Sequence, residues 1–345
     1  MEELDKRKIY LPPDILERIK NDARQFEVLK KDNHTPNMNL FLSKLIIGYY
    51  DDYSQEQSAY RKSISEALAN VPNIDSFSIA DKIIKSIIFP SEINGRETHL
   101  PISLKPTRET TLLIQHIDNE LCGTDTFSAY CRRMIFQYCK KPIYEREQII
   151  FKDNYEKLLS ATNKTQVILF KTIWNKSTIH EIIPYEICVG QDETHNYLLC
   201  AELSKDQTQK VKTYRLNRIT SIQLSSKALP IEKNVIENLR RTRQFGSQHE
   251  INDDEEILVK LTEHGMLSYN RIYTDRPKYD EPIVIDKDGK YNMRFSCSED
   301  QIFLYFRRFQ KDDAEIIAPQ QLRHRMILFH QKVLNNYLKN DNNVT

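Results

Sequence analysis

Glycine is scarce in this chain of 345 residues. There are seven, at Gly48, Gly95, Gly123, Gly190, Gly246, Gly265 and Gly289, and they are scattered. A phosphate-cradling Walker loop and a dinucleotide fingerprint both need clustered glycines, so both are excluded. Neither HExxH nor GxSxG occurs, which removes zincin chemistry and the nucleophile elbow. The six cysteines, Cys122, Cys131, Cys139, Cys188, Cys200 and Cys297, form no CxxC pair and show no metal-ligand spacing. They read as reduced core thiols, and neither a metal nor another cofactor is expected. No apolar run approaches the ~18 residues of a membrane span, and the charged start MEELDKRK leads into no apolar signal region. A cytoplasmic protein without membrane contact is therefore expected. Charge of one sign is lacking too. The formal net charge is +1, so any nucleic-acid surface must come from local clustering.

What is present is a strand-rich stretch near the middle, Pro184 to Leu224. Three runs rich in aromatic, β-branched and apolar residues, Glu181–Val189, Tyr197–Leu203 and Val211–Ile219, are divided by polar turn clusters. The turns suit antiparallel neighbours. Basic residues crowd the third run and the turn before it: Lys205, Lys210, Lys212, Arg215 and Arg218 stand against a single acid, Asp206, with Tyr197 and Tyr214 nearby. Cations interleaved with tyrosines suit single-stranded nucleic acid. The cations track phosphates while unstacked bases lie on aromatic faces, at about 1–3 kcal/mol per base.

The stretch resembles the core of the WYL domain, a small Sm-like β-barrel of bacterial regulators. Pro184-Tyr185 corresponds to the family's proline-led strand. Asn196-Tyr197-Leu198 stands in place of the Trp-Tyr-Leu signature, and Tyr214-Arg215-Leu216-Asn217-Arg218-Ile219 matches the aromatic-Arg-Leu-Asp-Arg-Ile segment. Asn196 replaces the tryptophan and Asn217 the aspartate. The resemblance implies that Tyr197 and Arg218 line a groove for nucleic acid or another anion.

The N-terminal region, 1–142, shows one pattern twice. Arg7–Leu11 alternates, with Ile9 and Leu11 on one side and Lys6, Lys8 and Tyr10 on the other. Pro12-Pro13-Asp14 stops that strand and opens a helix with the stripe Ile15, Leu16, Ile19 and Ala23. A second helix, with Asn37 as N-cap, is predicted to run to about Tyr50. Strand, helix, helix over 6–53 resembles the ribbon-helix-helix fold. There a two-stranded ribbon enters the major groove, and the second helix's N-terminus holds a phosphate. Two more helical patterns, separated at Pro72-Asn73, and a loop over Pro90–Glu97 follow. Then a diverged copy spans about 99–141. Its strand is His99–Leu104, with helices Thr107–Leu121 (closed by Gly123) and Thr126–Cys139. The strands around Ile9 and Ile102 are expected to pair within one chain. The second copy looks disarmed as a DNA reader. His99, Pro101 and Ser103 take the outward positions, and Asp125 sits where a phosphate would approach.

A connecting helix is predicted over 143–164, then the barrel over 165–228, a helix and polar-to-acidic linker over 229–256, and a third unit over 257–340. Strands alternating with helices in that last unit point to a ferredoxin-like α+β extension. It resembles the extension that follows WYL domains, on Ala314-Glu315-Ile316-Ile317-Ala318-Pro319 and Leu322-Arg323. Arg307, Arg308 and Arg323 are candidates to face the groove. Arg325 and His330 fit an Arg-x4-His ribonuclease motif. They lie about 140° apart on an ideal helix, with only apolar residues between, and catalysis there is not expected.

The fold class expected is α+β: a ribbon-helix-helix region, an Sm-like barrel and a ferredoxin-like extension. That order resembles the WYL-domain accessory proteins of type VI-D CRISPR systems. The resemblance implies a non-enzymatic homodimer that binds single-stranded RNA and enhances an RNA-guided RNA-cleaving effector. The alternative is a ligand-responsive transcriptional regulator binding duplex DNA through the ribbon. The site residues are Tyr197, Lys212, Tyr214, Arg215, Arg218 and Arg323 in the central and C-terminal parts, and Lys6, Lys8, Tyr10 and Asn37 in the N-terminal part.

Overall fold

A computed structural model describes residues 5–69, 71, 75–84, 89, 98–121, 125–206, 208–252, 256–310 and 312–341. The loop over 90–97, the helix-closing Gly123 and the break at Pro72-Asn73 lie outside the described residues. The chain is mixed α+β and divides into two compact units, Met1–Glu156 and Lys157–Thr345. No described helix is long and apolar enough to cross a membrane.

In the first unit β1 (Arg7–Leu11) pairs antiparallel with β2 (Leu100–Leu104), with Ile9 opposite Ile102 and Lys8 opposite Ser103. The alternation has the expected consequence on β1, where Ile9 and Leu11 are fully buried. On β2 it holds only in part. Leu100 is exposed, and His99, expected to point outward, is 9% exposed. Helix α1 (Pro13–Gln25) opens at Pro13 with Asp14 in its first turn. Helix α2 does not stop near Tyr50 but runs over Met38–Leu68. At Gly48 this helix lies against the Ile149 carbonyl oxygen, which a Cβ there would overlap. Helix α3 (Ser76–Ile83) is short. Helices α4 (Arg108–Leu121) and α5 (Phe127–Lys140) follow β2.

The second helix after each strand secures the strand of the other half. From α5, Ser128 Oγ accepts from the Tyr10 N–H at 3.1 Å, and Arg132 donates to the Tyr10 carbonyl at 3.0 Å. From α2, Asn39 donates to the Lys105 carbonyl at 3.2 Å and accepts its N–H at 2.6 Å. Phe41, Tyr49, Tyr53 and Tyr138 fill the space between α2 and α5. The predicted connecting helix is two, α6 (Ile143–Ile150) and α7 (Lys152–Asn163), because Phe151 leaves helical geometry at φ −117°. Arg146 of α6 reaches α1 and grips the carboxylate of Asp22 at 2.5 and 2.6 Å, while Tyr138 donates to the same group at 3.0 Å.

The second unit holds two antiparallel sheets. The first comprises β3 (Gln166–Thr172), β4 (His180–Val189), β5 (Asn196–Leu203), β6 (Gln209–Arg215) and β7 (Ile219–Ala228), in the order β6-β5-β4-β3-β7. The run predicted as one strand, Val211–Ile219, is broken by a 3-10 turn at Leu216–Arg218. The expected closed barrel is instead an open five-stranded sheet, with no ladder joining β6 to β7 among the described residues. The free edge of β6 is taken by side chains from further along. Asn252 accepts the Val211 N–H at 2.8 Å and donates to its carbonyl at 3.1 Å, and Glu250 accepts the Thr213 N–H at 3.1 Å. The stretch expected as a linker is thus partly built into the fold. Ser247, His249 and Ile251 are buried, and residues 253–255 lie outside the described ones.

One face of this sheet carries Val167, Ile183, Tyr197, Leu199, Ala201 and Val211. It is covered by Val235 and Leu239 of α8 (Lys233–Phe245). The second sheet comprises β8 (Ile257–Leu261), β9 (Asp280–Ile285), β10 (Tyr291–Phe295) and β11 (Ala314–Ala318), in the order β11-β8-β10-β9. Helix α9 (Glu263–Arg271) follows β8 and α10 (Glu299–Phe306) follows β10, the split βαβ order. Helix α9 and strand β9 lie where no element was predicted. Helix α11 (Gln320–Asp341) begins on this core with Leu322 and then runs out with an exposed side chain at every position from His330 to Leu338.

Candidate nucleic-acid interface

The 3-10 turn and the start of the segment after α8 enclose an open cleft of ≈ 700 Å³ in the second unit. Tyr197, Tyr214, Arg215 and Arg218 line it, so the fold brings together four of the site residues predicted there. Lys212 and Arg323 do not line it. Trp174, Gln248, His249, Asp275 and Leu304 do, and no sequence pattern pointed to them.

Register explains the first pair. Tyr197 lies opposite Arg215 across β5 and β6, so both side chains leave the same face. The Tyr197 hydroxyl accepts from Arg215 Nε at 3.1 Å, and the guanidinium lies 5.8 Å from the ring centroid. Gly190 also packs against that ring, where a Cβ would come within 2.8 Å of Cε2. Tyr197 is only 5% exposed. It is a core residue that positions Arg215, not an open stacking platform.

Tyr214 faces the other way, as its neighbour position on β6 requires. Its hydroxyl meets His180 Nδ1 at 3.0 Å and Glu202 Oε1 at 2.9 Å, and its ring packs edge-on against Phe170 at 4.9 Å. Burial, with Glu202 alongside, pushes its phenol well above the ordinary range. Arg218 closes the 3-10 turn, half-buried, next to Asn217. Asn217 is buried, and neither its Oδ1 nor its Nδ2 has a hydrogen-bond partner among the described residues.

The cleft wall is not simply basic. Asp192, Glu250, Asp275 and Asp300 also line it. Three of these are matched by cations: Lys212 holds Glu250 at 2.8 Å, Arg308 holds Asp275 at 3.1 Å and Arg325 holds Asp300 at 2.5 Å. Lys212 therefore serves as a counter-ion, and its hydrogen bond to Glu250 raises its pKa. Burial lowers the pKa of His249, whose Nε2 has no partner among the described residues. The imidazole is neutral at neutral pH and adds no charge.

The other candidates fall elsewhere. Arg323 bonds the Ile316 carbonyl at 3.2 Å and pairs with Glu315 at 2.9 Å. Arg307 lies over Phe303 and Phe329 at 5.9 and 5.8 Å. Arg325, offered by the ribonuclease motif, is spent on Asp300 and on the face of Phe303, while His330 packs edge-on against Phe329. In the first unit, Lys6, Lys8 and Tyr10 are exposed, and Lys8 and Tyr10 share the outer face of the two-stranded ribbon with Ser103 and Pro101. Asn37 caps α2 by accepting the Leu40 N–H at 3.2 Å. At the corresponding start of α5, Thr126 is the cap and Asp125 is paired with Arg133.

No protein-family model matches the chain, and no curated protein matches it. Among solved structures, it is similar to one described as a CRISPR Cas-related protein. The TM-score is 0.66 at 19% identity, covering 99% of this chain and 96% of that one. At that identity the likeness establishes a shared fold over essentially the whole chain. A second likeness, to the proteasome accessory factor PafBC of Arthrobacter aurescens, has a TM-score of 0.25 at 12% identity. It covers 66% of this chain and 35% of that one, and carries no argument.

Proposed function

We propose that this protein is a non-enzymatic accessory of a CRISPR system that binds single-stranded RNA in the cleft of its second unit. The observation that carries the reading is the convergence of Arg215 and Arg218 on one cleft, where the carboxylates of Glu250, Asp275 and Asp300 are each paired with a cation. The full-length likeness to a CRISPR Cas-related protein supplies the setting. The central sheet runs in the meander order of an Sm-like domain, its last strand returning to its first across a 3-10 turn, and this supports the WYL reading. The ribbon with two following helices on each side supports a ribbon-helix-helix reading of the first unit. On this reading the protein acts in the cytoplasm as a homodimer and enhances an RNA-guided RNA-cleaving effector.

The test is a salt titration with single-stranded RNA. Removing one cation that pairs with a phosphate flattens log affinity against log salt by about 0.7. Arg218→Ala is expected to weaken binding and flatten the slope by about that amount. Arg323→Ala, outside the cleft, is expected to do neither. Wild-type affinity and slope in both Arg218→Ala and Arg215→Ala would remove the cleft as the RNA site.

The alternative, a transcriptional regulator, is favoured by the exposed Lys8 and Tyr10 on the ribbon's outer face. On that reading Lys8→Ala with Tyr10→Ala abolishes duplex DNA binding and leaves single-stranded RNA binding intact.

A further inference from the structure

The chain's single tryptophan, Trp174, lines the cleft and is 62% exposed. It makes no hydrogen bond or ring contact with any described residue. A large aromatic left open in a cleft forgoes burial that the core would have given it, so its cost asks for a use.

The loop that carries it is held in place. The Ile173 N–H donates to the Arg218 carbonyl at 3.0 Å, so Trp174 leaves the sheet directly beside the 3-10 turn. On its other side the Asn175 N–H donates to Thr172 Oγ1 at 3.2 Å. Asn175 Oδ1 in turn accepts from the Ser177 hydroxyl at 2.8 Å and from the Thr178 N–H at 3.2 Å. The indole is thus presented from a hydrogen-bonded loop, next to the backbone of one arginine of the cleft. Neither tyrosine of the cleft offers such a face. Tyr197 is buried under Arg215, and Tyr214 is packed against Phe170 and His180.

We infer that Trp174 is the stacking platform for one unstacked base of a single-stranded nucleic acid whose adjoining phosphate lies on Arg215 and Arg218. This rests on the reading of the cleft as a single-strand site. The chemistry is general: every base has a π-face, so the platform accepts bases without strong sequence preference. A duplex, which hides those faces, is refused.

Because Trp174 is the only tryptophan, its emission reports this cleft alone. A short oligouridylate and an abasic oligomer of equal length and charge are titrated into the full chain. Indole emission and the anisotropy of a label on the oligomer are followed together. The base-bearing oligomer is expected to quench the emission and to bind about 5- to 150-fold more tightly than the abasic one, the fold-change of one stack. Trp174→Ala is expected to erase that difference without changing the salt slope, since every cation that pairs with a phosphate remains. Trp174→Phe keeps most of it, and a melting curve of each variant confirms the fold. Tight binding of oligouridylate with unchanged emission and a wild-type Trp174→Ala affinity overturns the platform while leaving the cleft reading standing. No binding of either oligomer overturns both.

Discussion

Removing the guanidinium of Arg146 tests how the first unit is held together. Arg146 and Asp22 are both more than nine-tenths buried and meet at 2.5 and 2.6 Å, joining α6 to α1. Arg146→Leu keeps an apolar stem but leaves a buried carboxylate with only the Tyr138 hydroxyl at 3.0 Å. Breaking one partner of such a pair costs about 3–5 kcal/mol. For a unit of this size about 2–4 °C of melting temperature accompanies each kcal/mol, so the expected loss is about 6–20 °C. The pH dependence fixes the cause. Burial pushes the Asp22 carboxyl up, and Arg146 is the largest influence pulling it back, with Tyr138 and Arg18 behind it. A carboxyl raised in the fold adds stability at low pH that is lost as pH rises through the raised pKa. Without Arg146 the pKa rises further, so the deficit of the variant narrows on going from about pH 8 to about pH 5. Calorimetry of wild type, Arg146→Leu and Asp22→Asn/Arg146→Leu across that range measures it. The double variant, with no buried charge, is expected to recover most of the loss. A deficit independent of pH, or a double variant no better than the single, would refute the reasoning.

Gly265→Ala places a Cβ against the carbonyl of Asp313, which is backbone and cannot turn aside. A loss of about 1–3 kcal/mol in the second unit is expected by chemical denaturation, and unchanged stability would mean that α9 shifts freely. The described thiols Cys131, Cys139, Cys188, Cys200 and Cys297 all have pKa values raised by burial, Cys188 to about 11 and Cys297 to about 12. Alkylation of the folded chain at neutral pH should therefore modify at most Cys122, read by mass spectrometry. Rapid labelling of any other thiol would contradict the burial.

Much of the local structure was legible. The alternation of Ile9 and Leu11, the Pro12-Pro13-Asp14 stop and the Asn37 cap are short-range signals, and each acts where it stands. The pairing of Ile9 with Ile102 was legible because one strand pattern occurs twice. The continuation of α2 past Tyr50 to Leu68 was not. Nor was the role of Gly48: a glycine is read as weakening a helix, and only the approach of the Ile149 carbonyl shows why no larger residue could replace it. His99 follows the outward alternation yet is buried, which a period of two cannot foresee.

The sequence by itself determined most of the helices and strands, the α+β class and the stretch in which Tyr197, Arg215 and Arg218 reside. Periodicity, caps and proline stops act within a few residues, so they can be read without the fold. Only the tertiary structure decided what those residues do. Packing under α8 turned Tyr197 from a platform into a support, and Glu250 claimed Lys212 from 38 positions away. Asn252 and Glu250 occupied the strand edge that a closed barrel would have needed, and a hydrogen bond from Ile173 to Arg218 set Trp174 at the cleft. Each of these depends on which partner reaches a polar group or an apolar face first. That is settled by burial and hydrogen bonding between distant segments.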